Sequence, residues 1–178
     1  MRRVRRLQLS APSERLCRRG QFLLEDALRT AGLPGADDAR LWLVRSLQLG
    51  LIDARGSPAT LALRIEERLR QSDLVACHGG DPGADQATMV VFPSALDAAI
   101  ALAERLARGE PTRGWYWPLA VPAYRAQASP PEALRAILWS CFDLPGGGVA
   151  AAAWLEALAR GRSEEHTSEL QSPCNLVC

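Results

Sequence analysis

Cysteine and histidine are the residue types in this chain that could supply a nucleophile, a general base or metal ligands. The chain has five cysteines and two histidines, and Cys77 stands directly before His78. Adjacent residues rarely present both side chains to one substrate, and no acidic residue is placed to orient this imidazole. Cys174 and Cys178 are four residues apart with His166 upstream, a spacing that would suit a metal site.

The C-terminal segment that carries this second group resembles a sequence artefact. The run Arg162–Ser172 is similar to the conceptual translation of a widely used short-read sequencing adapter, and Pro173–Cys178 is similar to the index and downstream adapter in the same frame. Such segments are left out of fold reasoning. We therefore expect residues 162–178 to be disordered, the native sequence to end near Gly161, and the intact product to continue beyond it.

Without that segment, three widely spaced cysteines remain, and they fit neither a disulfide framework nor a zinc site. The remaining cysteines are Cys17, Cys77 and Cys141. We predict free thiols in a reducing compartment, no metal and no cofactor.

Two further groups could in principle bind phosphate or act as acids. The turn Gly79–Gly83 is rich in glycine, but it lacks the lysine and hydroxyl pattern of a phosphate-binding loop. The acidic pairs Asp37-Asp38 and Glu66-Glu67 are most simply solvated faces of a turn and a helix. The sequence thus predicts no catalytic residue, and we expect a protein that is not an enzyme.

Arginines near the N-terminus are better candidates for binding. Arg2, Arg3, Arg5 and Arg6 flank a single valine and could contact phosphate groups, with salt-dependent and sequence-independent affinity. They lack the interleaved aromatic residues of a single-strand binding platform. Acidic groups of a partner subunit would satisfy the same arginines, so both phosphate and partner contacts stay open.

Three of the ten aromatic residues are consecutive: Trp115, Tyr116 and Trp117. Consecutive large rings should not all face one core, so some should be exposed or cover a neighbouring element. One interpretation is a local hydrophobic plug that seals the preceding helix. The other is an interaction surface for a further subunit, since Trp and Tyr often anchor interfaces.

Composition limits the class of protein. Without the C-terminal segment, 20 basic and 17 acidic residues remain, and every basic residue is arginine, as is typical of a GC-rich bacterial genome. A net charge near +3 does not by itself indicate nucleic acid. No apolar run reaches the roughly 18 residues of a membrane span, and no apolar stretch follows the N-terminal arginines as in a signal peptide. We expect a cytoplasmic protein.

The first part of the chain predicts alternating strands and helices. Residues 4–9 alternate like a strand, Ser13 caps a helix to about Ala31, and Arg40–Ile52 reads as a second strand rich in leucine. Ser57-Pro58 opens the next helix. We therefore predict an α+β fold with a two-stranded or small sheet and packed helices, in the order β-α-β-α over residues 1–72.

A mainly helical part is predicted to follow over residues 88–161, after a linker at 73–87. Met89–Phe92 is a short strand or the lead-in to a helix capped by Ser94. Ser129 and Glu132 fit a capping box, and an alanine-rich helix follows Gly146–Gly148. The helix after Ser129 should bury Leu134, Ile137, Leu138 and Phe142.

One stretch of the chain resembles a known family. Arg108–Trp117, directly after a helix, is similar to the helix, arginine-glycine turn and paired tryptophans of contractile injection system tape-measure proteins. The opening is also similar, with an amphipathic strand, a long helix, the leucine-rich segment Leu47–Ile52 and an arginine-rich helix at Leu61–Arg70. The resemblance covers Val4 to Pro118, and the histidine that the family has near its first strand is missing here.

The resemblance implies the N-terminal part of a structural or assembly protein of a phage-tail-like contractile machine. Its partners would be copies of itself or tube subunits, and it would catalyse no reaction. The alternative is a basic nucleic-acid-binding or regulatory module that uses the N-terminal arginines. A third option is the front part of an enzyme whose catalytic residues lie in the missing portion.

Overall fold

The chain folds into two compact units, which its path visits alternately. The computed structural model describes residues 4–32, 39–53, 55–73 and 76–170. Unit 1 comprises residues 1–37 and 46–75, and unit 2 comprises residues 38–45 and 76–178. The helices are α1 (Glu14–Thr30), α2 (Pro58–Asp73), α3 (Ala95–Ala107), α4 (Trp117–Ala120), α5 (Pro130–Cys141) and α6 (Gly148–Leu170), and the strands are β1 (Leu41–Val44), β2 (Cys77–His78) and β3 (Met89–Phe92). This is the predicted α+β fold with a small sheet and packed helices.

Unit 1 is built from α1 and α2, which pack against each other. Ser13 caps α1 by accepting a hydrogen bond from the Leu16 amide, and Pro58 occupies the first position of α2, where its missing N–H costs nothing. Both helix starts agree with the prediction. The residues buried between the helices are aliphatic: Leu24, Ala27, Ala31, Leu61, Ala62, Ile65 and Leu69.

The two long strands predicted in this region are not formed as expected. Residues 4–10 have no regular secondary structure, and the second strand is limited to Leu41–Val44. Gly50 adopts a left-handed φ of 70° and Leu51 is 95 % exposed, so the leucine alternation after residue 46 does not form a buried face. Alternating apolar and polar residues predict a strand with one solvent-exposed face, but they do not predict which strand it pairs with. The strand that pairs with β1 lies much later in the sequence.

Leu9 of the N-terminal segment packs against α1. It lies against Gly20, where an added Cβ would come within 2.8 Å of Leu9 Cδ2. Gly20 is buried in the middle of α1. Glycine weakens the interior of a helix by about 1 kcal/mol relative to alanine. At position 20 it leaves the space that the Leu9 side chain occupies.

Unit 2 contains a three-stranded mixed sheet in the order β1-β3-β2. β3 is central and pairs antiparallel with β1, with Leu41 opposite Phe92, and parallel with β2. The segment predicted as a linker thus contributes β2 and a 3-10 helix, Ala84–Gln86. β1 belongs to unit 2, although the predicted β-α-β-α unit placed it with the first two helices.

Helices α3, α5 and α6 pack against one another in unit 2. Ser94 caps α3 by accepting from the Asp97 amide, as predicted. Trp154 of α6 is buried and donates its Nε1–H to the Ala99 carbonyl of α3 at 3.1 Å. Ala98, Leu102, Ile137 and Cys141 are buried in the same core as Phe92 of the sheet.

The last helix is longer than predicted. α6 runs from Gly148 to Leu170 and so enters the segment for which we expected disorder, while residues 171–178 lie outside the described part of the chain. Residues 162–170 contain neither glycine nor proline, so nothing in the sequence stops the helix there. Across the described residues, every helix is too short or too polar to cross a membrane.

Candidate protein-interaction surfaces

The three consecutive aromatic residues belong mainly to the core of unit 2. Tyr116 and Trp117 are fully buried, and Trp115 is partly buried. The chain turns at Trp115 and Tyr116 before α4 begins, which allows both Tyr116 and Trp117 to contact Phe92, with ring centroids 6.1 and 5.7 Å away. The prediction of an interaction surface is therefore wrong for Tyr116 and Trp117, and the hydrophobic plug describes them.

Hydrogen bonds fix two of these rings. The Tyr116 hydroxyl donates to the Gly79 carbonyl at 2.9 Å and lies 3.3 Å from Oδ1 of Asp85. Burial, followed by the negative charge of Asp85, raises the pKa of Tyr116 to about 12. Trp115 donates its Nε1–H to the Ala87 carbonyl. The plug thus ties the end of β2 and the 3-10 helix to α4.

Arg105 of α3 covers the plug on one side. Its guanidinium lies 5.9 Å from the Trp117 ring centroid, and its side chain is only 15 % exposed. It donates to the carbonyls of Gly80 and Pro111 and lies 3.6 Å from the Glu110 carboxylate. An arginine stacked on a ring and bonded to two loops serves to hold those loops in place.

Cys77 and His78 form β2, and their surroundings explain them structurally. His78 Nδ1 accepts a hydrogen bond from the Gly80 amide, and the His78 backbone N–H donates to Asp81. The imidazole also makes an edge contact with the Phe92 ring at 5.5 Å. The nearby acid therefore bonds the backbone of His78, and one ring nitrogen is already used to hold the turn.

The buried thiol of Cys141 is also unsuited to nucleophilic chemistry. Burial raises the pKa of this thiol, whereas a reactive cysteine needs a lowered pKa. In the described part of the chain, no three His, Cys, Asp or Glu side chains come together as a metal site.

The N-terminal arginines are only partly within the described residues. Arg2 and Arg3 lie outside them, while Arg5 and Arg6 are exposed in the irregular segment 4–10. Neither Arg5 nor Arg6 lies on a strand, because the strand predicted for residues 4–9 is not formed.

A surface that the sequence interpretation missed lies at the end of α5 and the start of α6. Trp139 and Phe142 are 66 % and 49 % exposed, and their rings are in contact with centroids 5.6 Å apart. Val149, in the first turn of α6, is 76 % exposed. We call the contacting pair Trp139 and Phe142 the α5–α6 patch. Exposed aromatic residues in contact are a common feature of protein interfaces.

The helical period of α5 could have located part of this patch. The residues of α5 that are buried are Ala133, Ile137 and Cys141, at intervals of four. Trp139, two positions after Ile137, falls on the opposite side of the helix. The predicted buried stripe included Phe142 because it is apolar, but Phe142 follows the last helical residue and points outward enough to be half exposed.

Comparisons with known proteins do not assign the chain to a family. Searches against protein-family models, curated proteins and solved structures found no match.

Proposed function

We propose that this chain is a structural component of a protein assembly and acts by packing against other subunits, with no chemical step. The observation that carries the proposal is the α5–α6 patch. Trp139 and Phe142 expose large apolar surfaces in a unit whose other aromatic residues are buried or partly buried. Covering such side chains in an interface is favourable by about 25 cal/mol for each Å² of apolar surface removed from water.

The resemblance supports a more specific form of the proposal. Arg108–Trp117 is similar to a motif of contractile injection system tape-measure proteins, and in the structure this stretch connects α3 to α4 and supplies the aromatic plug. A motif with a role in the core is compatible with a fold shared by that family. We therefore propose a tape-measure-like component that assembles in the cytoplasm with copies of itself or with tube subunits.

The test is to remove the aromatic pair and measure assembly. The full chain and a Trp139→Ser/Phe142→Ser double variant are compared by sedimentation velocity, alone and mixed with any tube and sheath subunits that the neighbouring genes encode. We expect the unaltered chain to associate with itself or with the tube subunit. The double variant should weaken that association by about tenfold or more, because hot-spot aromatic residues dominate interface energies.

A matched control separates the patch from general apolar exposure. Leu63→Ser changes an exposed leucine of α2 in unit 1 and should leave the association unchanged. A chain that remains monomeric and binds neither neighbouring subunit would contradict the assembly role. A gene neighbourhood without sheath, tube or baseplate genes would overturn the contractile-system form of the proposal alone.

The nucleic-acid alternative has its own observable. Arg5 and Arg6 are exposed, so an Arg5→Gln/Arg6→Gln variant can be compared with the unaltered chain for binding to a single-stranded oligonucleotide. Tight binding that falls steeply with salt and depends on these arginines would favour the alternative over assembly. Under our proposal, the oligonucleotide binds weakly and both proteins behave alike.

A further inference from the structure

Unit 1 has an open cleft along the solvent-facing side of α1 that the assembly proposal does not use. Its volume is about 620 Å³, and it is bounded by α1 and by Pro58 at the start of α2. Four arginines contribute to its lining: Arg15, Arg18, Arg19 and Arg29. The cleft lies entirely within unit 1.

The cleft combines an apolar surface with positive charge. Phe22 lies in its lining and is 70 % exposed, and the partly buried Leu23 lies beside it. A phenylalanine with most of its surface in water, on a helix whose other face is well packed, is an anchor point for an apolar side chain of another molecule.

The four arginines differ in whether they form an ion pair with a carboxylate of the protein. Arg18 pairs with Glu14 at 2.6 Å, and Arg29 lies 4.0 Å from Asp26. Within the part of the chain that the structure describes, neither Arg15 nor Arg19 has a carboxylate within ion-pair distance. Two guanidinium groups beside an exposed ring are therefore available to an acidic ligand.

We propose that this α1 cleft binds an acidic segment of a partner protein, in which a large apolar side chain packs on Phe22 and flanking Asp or Glu residues pair with Arg15 and Arg19. Charge complementarity identifies this occupant. The proposal goes beyond the assembly role and does not depend on the α5–α6 patch.

A polynucleotide fits the same cleft less well. Glu25 and Asp26 also belong to its lining, and their carboxylates repel phosphate groups. Among the described residues, Phe22 is the one aromatic side chain in the lining, whereas single-strand platforms stack successive bases on several rings. A peptide can place its own acidic and apolar residues to avoid the two carboxylates.

The test uses a random peptide library displayed on phage and selected against the full chain. We expect enriched peptides to carry an aromatic or leucine residue flanked by Asp or Glu. The tightest of them, synthesised with a fluorescent label, is then measured by fluorescence anisotropy. Its affinity should fall with added salt, because the paired charges are exposed to solvent.

Variants of the cleft decide the outcome. Arg15→Glu/Arg19→Glu and, separately, Phe22→Ala should each weaken peptide binding by about tenfold or more. All of these side chains are exposed, so we expect the circular dichroism spectrum and thermal midpoint to stay unchanged. Arg113→Glu/Arg125→Glu changes the net charge equally at two exposed positions of unit 2 and should leave peptide binding unaffected.

Three results would overturn the proposal. The first is enrichment of peptides without acidic residues, or of none at all. The second is an equal loss of affinity in the unit 2 control, which would indicate a long-range charge effect. The third is displacement of the peptide by single-stranded oligothymidylate that binds more tightly than the peptide does. If that binding also depended on Arg15 and Arg19, the cleft would be assigned to nucleic acid.

Discussion

At the residue scale, the Tyr116 hydroxyl makes the stability of unit 2 depend on pH. Its pKa is raised from an ordinary value of 10.0 to about 12, chiefly by burial. A group whose folded pKa is raised contributes stability that is fully present below the unfolded pKa and is lost as pH rises through the folded one. For Tyr116 that window runs from pH 10 to about 12.

We therefore expect the free energy of unfolding to fall by about 2 kcal/mol more in the unaltered protein than in Tyr116→Phe between those pH values. Below pH 10, the variant should be less stable by about 1 kcal/mol, because the Gly79 carbonyl loses its hydrogen bond. Urea unfolding followed by tryptophan fluorescence measures both effects. Parallel pH profiles for the two proteins would show that the Tyr116 hydroxyl does not titrate as inferred.

Gly79 is a residue whose identity is set by its neighbour. A Cβ added there would lie 1.9 Å from Cζ of Phe92, inside the buried ring. Gly79→Ala should lower the free energy of unfolding by about 1–3 kcal/mol, since the ring has to move within a packed core. Urea unfolding gives the value. Gly148→Ala is the control: it meets open space at the start of α6 and should be neutral or slightly stabilising, and a similar loss at both sites would contradict the steric explanation.

At the scale of elements, helix starts could be predicted from the sequence and strand pairing could not. Ser13, Ser94 and Ser129 each precede a helix, because a cap and its first turn are neighbours in the sequence. β1 and β3 pair although more than forty residues separate them in the sequence. The partner and register of β1 therefore depend on a distant segment of the chain. Residues 4–9 show the same alternation as a strand but pair with none of the residues that the structure describes as strands.

The start of α5 allows the capping argument to be tested. The Ser129 hydroxyl and backbone N–H both donate to the Glu132 carboxylate, and these bonds lower the pKa of Glu132. Ser129→Ala should reduce the free energy of unfolding by about 1 kcal/mol at pH 7. Because the folded pKa is lowered, the stabilisation from Glu132 is present above its ordinary pKa and is lost as pH falls through the folded value.

Glu132→Gln separates the hydrogen bond from the charge. Glutamine can accept the same bonds, so the variant should keep most of the stability at pH 7 and lose the acid dependence contributed by this position. Urea unfolding at pH 7 and at pH 3 distinguishes the two effects. If Ser129→Ala is as stable as the unaltered chain, the cap does not stabilise α5.

At the scale of the whole molecule, the sequence indicated which residue types could bind a partner but not where they lie. The consecutive rings at 115–117 looked like an interface and are largely core, whereas Trp139 and Phe22 are exposed. Exposure depends on which face of a helix is covered by distant elements, such as α3 and α6 for α5. The local sequence shows the helical period of apolar residues, but it does not show which distant element covers each face of the helix.

The division into two units leads to a prediction about cooperativity. Ile65 is fully buried between α1 and α2 in unit 1, and Ile137 is fully buried in the core of unit 2. Each replacement by alanine should cost about 2–5 kcal/mol through lost burial and the cavity left behind. Because each unit has a core of its own, we expect the loss to be concentrated in the unit that carries the change.

Hydrogen exchange followed by mass spectrometry resolves the two units, and fluorescence adds an independent readout because all five tryptophans lie in unit 2. Ile65→Ala should accelerate exchange in α1 and α2 while the fluorescence transition in urea stays near its original midpoint. Ile137→Ala should shift that midpoint and accelerate exchange in α3, α5 and α6. An equal shift of the fluorescence midpoint by both variants would mean that the chain unfolds as one cooperative body, and the two cores would then have to be treated as parts of a single domain.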